Sequence, residues 1–301
     1  MNSRVVIPSN GSERSLAAVA PGHALAIQLG VSCQLLSVVA SQSEATARES
    51  ELFTALQRVG HENIPIRVEV SEHPATLLLG YNLDEALLCM TTHARGPLRE
   101  LVLGSVAADV VRRAHRPIVL AGPRLSVHWA PPIRTLLVCM DNSEQAARAL
   151  DCAVELARSL GAELQLVHVF ARVGLGEAGT GAEGADWLTG ADLGVKQTAQ
   201  GALPAAVDQR SVDWEQEHTS EWQYLKDHAE RIRQQTGVAT DWMILEHPHP
   251  ATGVAQLADS IPGALIVTGT HDVSLLERFG MGSFAMSVLR SAGVPVAVVS
   301  S

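Results

Sequence analysis

The chain has 301 residues, 47% of them hydrophobic and 18% charged, with a net charge of −10. That length and composition predict two domains, each able to bury a core of its own. The acidic balance, with no lysine- or arginine-rich run, argues against nucleic acid and anionic membrane as partners, and no apolar run approaches the length of a membrane span.

Arg4 to Ile7 is a short apolar run, and Pro8, Ser9, Asn10, Gly11 and Ser12 follow it as a turn and helix cap. The next helix is predicted from about Glu13 to Leu29, ended by Gly30, with a kink or break at Pro21. Cys33 to Val39 reads as the second strand, Ser43 to Val59 as an amphipathic helix stopped by Gly60, and Ile64 to Val70 as the third strand. His73, Pro74, Ala75 and Thr76 open a third helix, with the proline suited to a first turn. Ala86 to Met90 is the fourth strand, Val106 to Ala114 a fourth helix, and Ile118 to Leu120 a fifth strand after Pro117. Strands alternating with helices predict a parallel sheet covered on both faces.

Residues 125–132 read as a linker, between a first domain at 1–124 and a second at 133–301. There the series restarts, with a strand at Arg134 to Met140, a cap at Asp141 to Glu144, a helix at Gln145 to Leu160 and a strand at Glu163 to Val169. An offset of 131 carries Asn10 onto Asp141 and Ser37 onto His168. An offset of 176 carries His73-Pro74-Ala75-Thr76 onto His249-Pro250-Ala251-Thr252, and one of 178 carries Gly104-Ser105 onto Gly282-Ser283. The second copy therefore holds an insertion at about 172–212, rich in Gly and Ala, and Trp214 to Gln235 supplies its next helix. The two apolar final strands, Pro117 to Leu120 and Pro295 to Val299, are expected to pair, because an uncovered apolar edge invites pairing.

One stretch occurs twice. Ala264 to Ser283 reads ALIVTGTHDVSLLERFGMGS, and Ala86 to Ser105 reads ALLCMTTHARGPLRELVLGS. Each joins an apolar strand to a Thr-His step and then to Gly-Ser ahead of a helix. Free N–H groups at a strand's carboxyl end and at a helix N-terminus are parts for holding an anion, most plausibly phosphate.

This pattern resembles the universal stress protein family in its tandem two-domain form. The family's ATP-binding members share an early strand ending in Val-Asp-Gly-Ser and a late Gly-x2-Gly-x9-Gly-Ser/Thr. Here Asp141 and Ser143 are kept around Asn142, and the late motif reads Gly269-x2-Asp272-x9-Gly282-Ser283. The first copy has Asn10 for the aspartate and Thr91-x2-Ala94-x9-Gly104-Ser105. The resemblance implies two α/β domains, each a doubly wound five-stranded parallel sheet of order 3-2-1-4-5 with helices on both faces. It implies a contact between them as a pseudo-twofold pair, and ligands beyond the carboxyl ends of the strands. It also implies a stress-response protein of the cytoplasm that binds ATP or a related adenine nucleotide, with or without Mg2+.

For the second copy, the residues implied are Asp141 toward the adenosine with Gly269 near it, Val169 by its backbone toward the adenine edge, Gly282 and Ser283 toward the phosphates, and His271 as a further ligand contact. For the first copy they are Asn10, Val38, Thr91, His93, Arg95, Gly104 and Ser105, with Arg95 and His93 supplying positive charge. Asp272 adds a negative charge where the family has glycine, and Thr91 is bulkier than glycine, so each copy keeps a different half of the pattern.

Blander roles are open for the same residues. The two glycines ahead of the helices serve tight packing, Ser105 and Ser283 serve as helix caps, and Asp141 and Asn10 as capping residues. His247, His249 and Glu246 hint at a metal, but two imidazoles split by Pro248 are a poor set. The four cysteines form no CxxC pair and read as reduced, buried thiols, and the opening MNSRVVIPS runs straight into a strand, so no signal peptide is expected. The tryptophans at 129, 187, 214, 222 and 242 are expected to pack the linker and insertion onto the second domain. No Walker lysine follows a glycine loop and no nucleophile–base pair is evident, so the chain reads as a nucleotide-dependent binding module. Hydrolysis would be slow at most. The alternative is an interaction protein of the same fold without nucleotide. A homodimer and an unnamed protein partner complete the expectation, with the insertion as a lid or docking loop.

Overall fold

The computed structural model describes residues 3–94, 101–102, 104–129, 131–171, 219–270 and 283–300. The insertion and its expected role as a lid lie outside the described residues, as do Trp187 and Trp214. In the first half the strands are β1 (Arg4–Pro8), β2 (Ser32–Val39), β3 (Ile66–Val70), β4 (Ala86–Thr91), the two-residue pair β5 (His93–Ala94) and β6 (Leu101–Val102), and β7 (Ile118–Ala121). Its helices are α1 (Val19–Leu29), α2 (Gln42–Arg58), α3 (Pro74–Leu83) and α4 (Ser105–Arg113). The second half has β8 (Thr135–Cys139), α5 (Glu144–Leu160), β9 (Glu163–Ala171), α6 (Thr219–Thr236), β10 (Thr240–His247), α7 (Pro250–Asp259), β11 (Ala264–Gly269), α8 (Ser283–Ser291) and β12 (Val296–Val299).

Ten strands make one sheet, in the order β10-β9-β8-β11-β12-β7-β4-β1-β2-β3. Each half keeps the order 3-2-1-4-5, all parallel. The halves meet through their final strands, which pair antiparallel as Leu120↔Val296, Val119↔Ala297 and Ile118↔Val298. Val119 and Ala297 are equivalent under the offset of 178, so a local twofold axis passes through that pair. All six seam residues are 0–1% exposed. The apolar edges that the sequence leaves uncovered thus cover each other.

Because the seam is antiparallel, the carboxyl ends of the two half-sheets point in opposite directions. Helices α1, α2, α5 and α6 cover one face and α3, α4, α7 and α8 the other, each over a core that runs through both halves. Gln28 of α1 adds a polar tie across the halves. Its Nε2 donates to the carbonyl of Ile133 at 2.9 Å and its Oε1 accepts from the Ile133 N–H at 2.7 Å. Trp222 and Trp242 meet edge to face at 5.2 Å and fasten α6 onto β10, while Trp129 packs onto the shared core.

A break is observed, but ahead of Pro21 rather than at it. Residues Glu13–Ala18 form a 3-10 turn and the α-helix proper starts at Val19, which leaves Pro21 in the first turn where its missing N–H costs nothing. Further along α1, His23 meets His61, which sits just past the end of α2. Their Nδ1 atoms are 3.1 Å apart and the rings stand edge to face. Two imidazoles in that position share one proton. Burial lowers the His61 pKa, the charge of His23 lowers it further, and Glu62 opposes both. A depressed folded pKa makes the contribution present above the free imidazole value of about 6.5 and lost as the pH falls through the lower folded value. Urea midpoints of wild type and His23→Ala, compared at pH 7.5 and pH 5, are expected to converge on acidification. A gap that stays constant with pH would contradict the shared-proton reading.

Candidate functional site

Two clefts open at the carboxyl ends of the strands, one in each half, and they lie at opposite ends of the ten-stranded sheet. The cleft of the second half has a volume of about 190 Å³ and is lined by Asp141, Val169 and Gly269, with Met140, His168 and Phe284 among its other walls. The cleft of the first half is about 270 Å³ and is lined by Asn10, Val38, Thr91, Gly104 and Ser105. The offsets of 131, 176 and 178 map one lining onto the other: Val38 onto Val169, Pro74 onto Pro250, Leu78 onto Val254, Thr91 onto Gly269 and Val106 onto Phe284. The first and fourth strands of each half flank the cleft, and their outer neighbours lie on opposite sides, which is where open α/β sheets take ligands.

Several walls follow from the backbone. Met140 N–H donates to the Val167 carbonyl, and Ser9 N–H to the Leu36 carbonyl, each at 2.8 Å. Peptide groups two residues apart on a strand face the same side. The N–H and C=O of Val169 and Val38 therefore point past the ends of β8 and β1, into the clefts. Pro74 and Pro250 occupy first turns of α3 and α7. Gly104 is the N-cap of α4, with Ala108 N–H donating to its carbonyl at 2.9 Å. Ser105 is the first helical residue rather than the cap expected of it, and α8 likewise begins at Ser283. Both helix N-termini open toward a cleft, through Gly104, Ser105 and Val106 in one and Phe284 in the other.

The polar residues carry local duties as well. Asp141 is exposed at the cleft mouth, and its Oδ1 accepts from the N–H and the hydroxyl of Ser143. Ser143 Oγ in turn accepts from Ala146 N–H at 3.1 Å and caps α5. Asn10 Oδ1 accepts from Ser12 N–H at 3.1 Å, and Ser12 Oγ from Ser15 N–H at 3.3 Å, which repeats the arrangement with a neutral amide. Arg48 of α2 donates to the Asn10 carbonyl. Gly269 is the last residue of β11, and a Cβ there would stand 2.7 Å from the Gln145 carbonyl oxygen. Its lack of a side chain is thus required by the approach of α5.

Cys139 also lines the second cleft. Burial pushes its thiol up to about 12, and the Asp141 charge adds to the shift, so it stays protonated and offers no nucleophile. Cys33 and Cys152 are pushed up to about 12 by burial, and Cys89 is raised still further. Among the described residues no three His, Cys, Asp or Glu side chains group around a metal position, and His247 Nδ1 lies 2.9 Å from the His249 N–H. His93 is on β5. Arg95, His271, Asp272 and Gly282 lie outside the described residues.

Sequence reasoning missed Ser9 and Ser15, whose hydroxyls pair at 2.7 Å and which line the first cleft, and His168, which lines the second. The offset of 131, which sets His168 against Ser37, is the signal that marks it. His168 Nδ1 is 2.8 Å from the Met140 carbonyl, and its ring lies 4.6 Å from that of Phe170.

The comparisons with known proteins agree with this architecture. A universal stress protein of Mycobacterium tuberculosis strain H37Rv is 27% identical over 256 residues, covering 85% of this chain and 72% of the relative. A second one from that strain is 22% identical over 243 residues, with 78% and 62% covered. The crystal structure of a universal stress protein from Archaeoglobus fulgidus DSM 4304 superposes with a TM-score of 0.56 at 17% identity, covering 100% of this chain and 99% of that one. A putative universal stress protein from Pseudomonas aeruginosa gives a TM-score of 0.52 at 14% identity, over 99% and 92%. These likenesses show the fold. The model of the universal stress protein family matches residues 1–121 and 132–300, nearly the whole length, and the chain belongs to that family.

Proposed function

We propose that the protein is a nucleotide-dependent binding module of the stress response, taking ATP or a related adenine nucleotide in the second cleft. The observation that carries this reading is the meeting of Asp141, Val169 and Gly269 around one cavity at the carboxyl ends of the strands. A volume near 190 Å³ is below that of a pocket for a whole drug-sized ligand, so it suits a base and part of its sugar, with phosphates at the mouth. The Asp141 carboxylate is an acceptor for ribose hydroxyls. The Val169 N–H and C=O offer a donor and an acceptor to the edge of a base. Phosphates would lie toward the N-terminus of α8, where free N–H groups and the helix dipole favour an anion. The first cleft, with Asn10 and Thr91 in the matching places, is the weaker site for adenosine. Among the described residues no group in either cleft is seen as a base beside a nucleophile, and turnover is expected to be slow at most.

An interaction protein without nucleotide is the second reading. It is favoured by Gly269, whose small size the packing of Gln145 already accounts for. Mass spectrometry of the small molecules released when freshly purified protein is denatured separates the two. An adenine nucleotide is expected. Its absence, together with no heat on titration with ATP, would replace the first reading by the second.

A further inference from the structure

Deepening the proposed nucleotide site, on which it rests, we infer that His168 reads the base in the second cleft, favouring a ring with an exocyclic amine, such as adenine, over one with an oxygen there, such as guanine. The Met140 carbonyl can only accept a hydrogen bond, so at 2.8 Å the Nδ1 of His168 carries the proton. In the neutral ring Nε2 is then an acceptor and nothing else. Phe170, 4.6 Å away and tilted, braces the ring against rotation. The ring lines the cleft beside Val169, the strand residue whose backbone faces the ligand. Where Nε2 of the neutral ring meets the base, it gains a hydrogen bond from an amine and confronts the lone pairs of a carbonyl. Even at a half-buried ring, a clash of two acceptors discriminates more sharply than a missing contact.

Among the described residues the first cleft has no such group. Its counterpart, Ser37, is 1% exposed and stands behind the wall rather than in it. The discrimination therefore belongs to one of the two clefts, and the duplicated halves have diverged in what they read as well as in how well they bind.

The experiment is calorimetric titration of the full chain with ATP and with GTP, for wild type, His168→Asn and His168→Gln. Asparagine places an amide nitrogen near the position of Nδ1, which keeps a donor for Met140 and removes the Nε2 acceptor. Glutamine reaches the Nε2 position with an oxygen. Wild type is expected to prefer ATP by tenfold or more. His168→Asn should lose about five- to tenfold in ATP affinity with GTP little changed, and His168→Gln should recover part of it. In 15N-imidazole spectra the Nε2 resonance should move with ATP and stay put with GTP, a readout that a merely structural histidine would not give. An unchanged ATP-to-GTP ratio in His168→Asn, with wild type binding ATP, would overturn this inference and leave the proposed function standing. Failure of wild type to bind either nucleotide would overturn both.

Discussion

Gly122→Val should unfold at a markedly lower urea concentration than wild type, a loss at or above the top of the roughly 1–3 kcal/mol that overpacking costs. Gly122 follows β7 directly, and a Cβ there would stand 2.1 Å from the carbonyl oxygen of Leu289 in α8. The obstacle is backbone held in a helix, so no side-chain rotation relieves it. The offset of 178 turns this contact into its mirror across the seam. Gly122 maps onto Ser300 and Leu289 back onto Val111, and Ser300 Oγ donates to the Val111 carbonyl at 2.9 Å. One side of the local twofold is thus closed by a hydrogen bond and the other by bare contact. Ser300→Ala removes a single neutral hydrogen bond and should cost only about 0.5–1.5 kcal/mol. Because the seam is three residue pairs long, Gly122→Val should also speed amide exchange at Ile118 to Leu120 and Val296 to Val298 ahead of the outer strands. Equal midpoints and equal exchange would mean that the halves adjust around Gly122 and that the seam is softer than its burial implies.

Most of the architecture was legible because its signals are local and stated twice. Gly30 and Gly161 end equivalent helices in the left-handed conformation, with φ of 65° and 64°, and Pro74 and Pro250 start equivalent helices. The apolar runs at Ile118 and Val296 marked edges in need of a partner. What escaped depends on contacts between distant segments. β10 was passed over because the offset shifts from 131 to 176 across the insertion, which hides the repeat where Thr240–His247 falls. Pro21 signals a break in the first helix, but that Glu13–Ala18 winds as a 3-10 turn depends on how the chain settles over β4.

The site was legible in outline and not in its division of labour. Asp141, Val169, Gly269, Asn10, Val38, Thr91, Gly104 and Ser105 all line the clefts. The motif says where glycine stands but not what presses on it. Only the packed helix shows that Gly269 is required by Gln145. In the same way, Asp141 reads as a ligand contact in the motif and as the organiser of the Ser143 cap in the fold, and its position in the cleft depends on that cap.

Gly269→Thr, which moves the first copy's residue into the second cleft, should abolish most nucleotide binding there and destabilise the second half by about 1–3 kcal/mol. The first copy accommodates Thr91, 6% exposed, because the residues above it form the 3-10 turn and the α-helix begins only at Val19. In the second copy α5 starts at Glu144, which brings the Gln145 carbonyl oxygen, carbonyl carbon and Cβ to within 2.7–2.9 Å of the place a Cβ would occupy. A threonine must therefore push the first turn of α5 outward. That turn carries Ser143, and Ser143 holds Asp141, so the carboxylate moves away from the cleft with it. Loss of one hydrogen bond to a charged group is worth roughly 1.5–3 kcal/mol, at least about tenfold in affinity. Thr91→Gly is the control. It should cost roughly 0.5–1 kcal/mol of backbone entropy plus the packing of a buried side chain, and leave ATP binding at the second cleft unaltered. Calorimetric titration with ATP alongside urea unfolding measures both effects. Wild-type affinity in a destabilised Gly269→Thr would show that the start of α5 can shift without carrying Asp141 along, and that the carboxylate does not hold the ligand.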